Sequence, residues 1–93
     1  MTEQEIKKVK ANLYAWLDMQ SSMQSAKLEM LQDDTQAKSI LNTEDMSVVE
    51  KERKQVSEKL SVLKQLKIQT QNTSKAEELK AIHDSLAKLI GRA

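Results

Sequence analysis

A chain of 93 residues, 39% apolar and 31% charged, suits one domain with a thin core. Its 15 basic and 14 acidic residues leave a net charge of +1, so no global field gathers nucleic acid or anionic lipid. The absence of cysteine excludes disulfides and thiolate metal sites, and no run approaches the ~18 apolar residues of a membrane span.

Proline is also absent, and the one glycine is Gly91, so nothing before Gly91 strongly breaks a helix. Three segments open on a Ser/Thr-x-x-Glu capping box, in which hydroxyl and carboxylate satisfy free amides at a helix start: Thr2 with Glu5, Ser47 with Glu50, and Ser74 with Glu77. The first predicted helix covers about residues 3–32, carries Ile6, Val9, Leu13 and Trp16 on one stripe, and leaves through Asp33, Asp34 and Thr35. Residues 35–42 are a connector with room for a turn of helix around Ile40 and Leu41. The second predicted helix covers about 43–71, opening at Thr43 or Ser47, with Val49, Val56, Leu60 and Leu63 on one face. Asn72-Thr73-Ser74 is the cleanest break. The third covers about 75–90, with Leu79, Ile82, Leu86 and Leu89 as a heptad seam and Gly91 as its C-terminal cap. These elements predict an all-α, up-down-up antiparallel three-helix bundle with a short third helix, one domain over 1–93. A dimerising helical hairpin is the alternative.

The unequal lengths carry the functional expectation. A third helix of fewer than 20 residues covers the first helix only to about residue 20 and the second only back to about residue 55. Beyond those points the apolar residues Met23, Ala26, Leu28, Met30, Leu31, Met46, Val48 and Val49 have only each other. After Ser21-Ser22 the stripe also splits: Met19, Met23, Ala26 and Met30 lie on one side, Leu28 and Leu31 on another. One partner helix cannot bury both. The predicted protein-binding residues are therefore Met19, Met23, Met30, Leu28, Leu31, Met46 and Val48, an adaptable methionine-rich patch. The competing expectation is that the connector folds back and turns these residues into ordinary core.

No catalytic, cofactor-binding or metal-binding residue is predicted. His83 is the sole histidine, expected as a half-buried packing residue that points away from Asp84. Trp16 is expected as a core anchor. The basic clusters Lys7, Lys8, Lys10 and Lys51, Arg53, Lys54 are interleaved with acids and expected at opposite ends, as solvated faces.

The stretch Leu13-Tyr14-Ala15-Trp16-Leu17-Asp18 resembles the tryptophan-leucine stretch on the first helix of spectrin-type repeats. That resemblance implies a triple-helical coiled coil, a scaffold or spacer role, and Trp16 in the core. Taken together, the residues predict a non-enzymatic helical interaction module (an adaptor, regulator or chaperone-like binder) that takes an amphipathic helix. A self-associating coiled-coil subunit is the alternative, and a nucleic-acid regulator a distant third. The acidic start, Thr2-Glu3-Gln4-Glu5, is unlike a signal peptide, so a cytoplasmic location is the default expectation.

Overall fold

The computed structural model describes residues 2–91, which form α1 (Glu3–Met30), α2 (Asp34–Leu41), α3 (Met46–Asn72) and α4 (Ala76–Leu89). The protein is all-α. The first capping box forms in part: the Thr2 hydroxyl accepts from the Glu5 amide at 3.2 Å as expected, while the Glu5 carboxylate accepts from the Thr2 hydroxyl at 3.0 Å and not from the Thr2 amide. The other two boxes do not form. Asp45, in place of Thr43 or Ser47, caps α3, accepting from the Ser47 amide at 2.9 Å and the Ser47 hydroxyl at 2.7 Å. A charged acceptor at a helix start gains from the dipole as well as the hydrogen bond, which favours Asp45 over the neighbouring hydroxyls. At α4 the N-cap position falls to Lys75, which makes no side-chain cap, while the Thr73 hydroxyl bonds Glu78 and accepts from the Lys75 amide.

The connector is more ordered than a single turn. Asp33 caps α2 by accepting from the Gln36 amide at 3.0 Å. Asn42 closes it in the left-handed region, at φ 52° and ψ 49°. The Asn42 amide bonds Ser39 and the Thr43 amide bonds Lys38, a Schellman closure in which asparagine stands where glycine is more usual. Gly91 ends α4 at φ 77°, its amide on the Lys88 carbonyl at 3.1 Å.

Cross-helix bonds fix the direction of the long pair. Lys10 reaches the Gln71 carbonyl at 2.9 Å, Lys67 reaches Asp18 at 2.8 Å, and Lys27 reaches Glu52 at 2.9 Å. Rising numbers on α1 meet falling numbers on α3, so the two are antiparallel. Helix α4 lies along the half where α1 begins: His83 packs on Trp16, and Leu89 and Ile90 share a cleft with Gln20 and Met23. These pairings are consistent with the up-down-up course read from the sequence, with α2 inserted between the long helices. The molecule measures 54 × 19 × 17 Å.

Two apolar cores result. The proximal core joins Leu13 and Leu17 of α1, Leu63 and Leu66 of α3, and Leu79, Ile82 and Leu86 of α4, with Ile6, Trp16, Leu89 and Ile90 at its edge. The distal core joins Leu31, Ala37, Val49 and Val56, with Leu28, Leu41 and Met46 against it. Between them α1 turns polar at Gln20, Ser21 and Gln24. The Ser21 hydroxyl and the Gln24 side-chain carbonyl are buried there with no hydrogen-bond partner among the described residues.

Candidate protein-interaction surface

Heptad columns show what lies beyond the end of α4. On α3, Val49, Val56, Leu63 and Thr70 recur every seven residues, and each is buried. A neighbouring column on the same helix runs Leu66, Lys59, Glu52 toward its start. Leu66 packs in the proximal core with α4, whereas Lys59 and Glu52 offer charge to anything lying further along. Lys27 and Glu52 pair at 2.9 Å across the gap between α1 and α3.

The facing column on α1 behaves differently. It runs Val9, Trp16, Met23, Met30, one residue per heptad. Trp16 stacks tilted on His83, ring centroids 5.2 Å apart, so this column faces α4. One heptad on, Met23 lines a cleft of about 270 Å³ with Gln24, Lys59, Leu89 and Ile90 at the very end of α4. Met30 comes one heptad later, past the end of α4. The column thus stays apolar past the end of α4, where Met23 and Met30 are exposed.

The predicted binding residues divide in two. Met19 (52% exposed), Met23 (56%), Met30 (43%) and Val48 (43%) are open to solvent. Leu31 is fully buried, and Leu28 and Met46 pack against it and Val49. For Leu31 the interaction reading is corrected: α2 folds back, buries Ala37 completely and lays Leu41 against the same cluster, making Leu31 core and leaving Leu28 and Met46 partly buried against it. Ile40, the other apolar residue of the connector, remains outside. The connector therefore seals one side of the distal half and leaves the methionine side uncovered.

Arg53 holds this closure. Its guanidinium donates to the Leu31 carbonyl at 2.5 Å and to Asp34 at 2.6 Å, tying the end of α1 and the start of α2 to α3. That accounts for a charge interrupting the α3 stripe. Lys10 likewise serves the α3 C-terminus through the Gln71 carbonyl, so two of the six clustered basic residues have structural partners.

Two expectations about single residues change. His83 is exposed, not half-buried, because it sits on the outer side of Trp16. Its Nδ1 lies 3.7 Å from Asp84 Oδ1, closer than adjacent helical positions suggested, yet too far for a hydrogen bond. Trp16 packs at the edge of the proximal core, partly exposed. Ile68, at 57% exposure, is an apolar surface residue that the stripe pattern passed over. It borders a groove of about 440 Å³ between α3 and α4, along with Asn72, Ala81 and Ser85. The only sequence signal for it is negative: Ile68 falls off the Val56–Leu63–Thr70 column.

Among the described residues no three His, Asp or Glu side chains stand close enough to hold a metal ion, and no helix is long and apolar enough to cross a membrane. Comparisons with protein-family models, curated proteins and solved structures find no match to this chain. The likeness to spectrin-type repeats is carried by the Leu13–Asp18 stretch alone.

Proposed function

We propose that this chain is a non-enzymatic helical interaction module whose distal methionine face receives an amphipathic helix from another protein, in the manner of an adaptor, regulator or chaperone-like binder. One observation carries the reading: the α1 column covered by α4 at Trp16 continues as exposed Met23 and Met30, with Val48 exposed on α3. Methionine is unbranched and polarisable, so it adapts to an incoming side chain at little rotameric cost. Each of these side chains is already partly buried, so completing its burial contributes on the order of 1 kcal/mol. A handful of such contacts supports a small, transient interface, of the class below about 1,200 Å².

The test is affinity capture from the native cell with the wild-type chain and with a Met23→Glu, Met30→Glu double variant. Retention of a defined protein by the wild type alone is the expected result, with thermal stability of the variant within about 0.5 kcal/mol, because both positions lie on the surface. Sedimentation over a range of concentrations supplies the opposing outcome. A dimer that the double variant abolishes replaces the partner helix with a second copy of the chain.

A further inference from the structure

Helix α2 differs from the other three in how it is held. It has eight residues, and its caps are its own: Asp33 accepts from the Gln36 amide, and the Asn42 and Thr43 amides return to Ser39 and Lys38. A helix that short does not persist in water unless packing supports it. That support is thin. Ala37 is the single fully buried side chain of α2, Leu41 is partly buried, and Ile40 is exposed. Among the described residues one hydrogen bond links α2 to another helix, from Arg53 to the carboxylate of Asp34, whose side chain is 63% exposed. By contrast α4 buries Leu79, Ile82 and Leu86.

We infer that α2 is a lid with two states, docked and helical over the distal core or released and unwound, with α1, α3 and α4 assembled in both. Because eight residues do not stay helical alone, undocking and unwinding are one step. The turns on either side absorb the motion: Gln32 and Asp33 before the helix, and Asn42 to Glu44 after it, with Asn42 already at positive φ. What release uncovers is specific. Leu31 and Val49 are fully buried in the docked state, and each adjoins in sequence a residue that is exposed in it, Met30 beside Leu31 and Val48 beside Val49. The lid therefore sets how far the apolar surface at this end extends, from the methionine side alone to the leucine side as well. This device goes beyond the docking reading and holds whether or not a partner helix binds.

Native-state hydrogen exchange on the full chain tests the lid, with a thiol probe beside it. The chain has no cysteine of its own, so Val49→Cys supplies one buried thiol of nearly the same size as the side chain it replaces. In the unmodified chain the amides of residues 37–43 are expected to exchange as one group, well ahead of the centre of α3 and of α4. Ala37→Gly should speed that group ~10-fold, through lost helix propensity and a lost buried methyl. Asp34→Asn should speed it ~3-fold, the size of one largely exposed ion pair. In both backgrounds alkylation of the thiol should rise by the same factor, with exchange in α4 unchanged. Amides of α2 that exchange one by one from the ends, with the thiol reacting only at the rate of global unfolding, would show fraying and overturn the lid. Exchange of the end of α1 and the start of α3 together with α2 would show the distal half opening whole, and overturns it too.

Discussion

The two halves of this molecule solve the same packing problem with different means. In the proximal half three helices each contribute leucine or isoleucine to one core of seven buried residues. In the distal half the long pair is joined by a two-turn helix, and the buried set falls to Leu31, Ala37, Val49 and Val56. Buried apolar area sets local stability, so the proximal half is the anchor and the distal half the adjustable part.

Truncation of matched leucines is the largest test of that contrast. Leu63→Ala should cost about 2–5 kcal/mol in chemical unfolding, because α1 and α4 both close on that side chain. Leu31→Ala belongs near the lower end of the same range, since the short α2 packed against it is able to collapse into the cavity it leaves. Hydrogen exchange separates them further: the first should speed exchange throughout, the second chiefly in α2 and the adjoining helix ends. Equal costs with uniform exchange would mean one cooperative unit and remove the contrast.

Arg53→Ala comes next, at about 1–3 kcal/mol, the loss of charge-assisted bonds to the Leu31 carbonyl and to Asp34. Its effect should be confined to the distal half, read as faster exchange at Ala37 and Leu41 with α4 unchanged. Faster exchange in α4 would show that the two cores communicate across the polar layer.

How far these features could be read in advance follows from the range over which each is determined. The long helices were legible because no proline or internal glycine interrupts them and their stripes repeat over many turns. The short reach of the third helix was legible for the same reason, and with it the open methionine column. Single capping sites were less so. Thr2 has no rival acceptor and forms its half of the box, whereas Ser47 becomes a donor to Asp45 and Thr73 takes the place expected of Ser74. The connector was the hardest segment to read. Eight residues are too few for a periodic signal, and its one fully buried side chain is an alanine, so its lid role depends on where α3 lies. The split between Met30 and Leu31 directions was visible, yet that α2 would claim only the leucine side was not.

The polar layer between the cores offers a smaller test. Gln24 has a buried carbonyl with no partner among the described residues, one heptad from both Leu17 and Leu31. Gln24→Leu should stabilise the fold by about 1 kcal/mol, removing an uncompensated polar group and linking the two clusters. If the halves are kept distinct by this layer, exchange in α2 should slow most. A destabilising result would reveal a water-mediated partner for Gln24 instead.

The smallest effects lie at the extremes of pH, and they fall on opposite halves. Hydrogen bonds from the Ser47 hydroxyl and amide hold the Asp45 carboxyl below its ordinary pKa. A folded value beneath the unfolded one means a contribution that is complete above the unfolded pKa, about 3.9, and lost as pH falls through the folded value. Lys67 is the reverse: its bond to Asp18 raises it above the ordinary lysine value. Its contribution is complete below the unfolded pKa, about 10.4, and disappears as pH rises through the folded one. Urea midpoints of Asp45→Asn should therefore run below wild type at neutral pH and converge with it in strong acid. Those of Lys67→Met should converge with wild type only in strong alkali. Both residues are exposed enough for salt to screen them, so the differences should shrink as ionic strength rises. If Asp45→Asn instead loosens α4 as much as the start of α3, the tip and the anchor unfold together, and the distal half is no softer than the rest of the bundle.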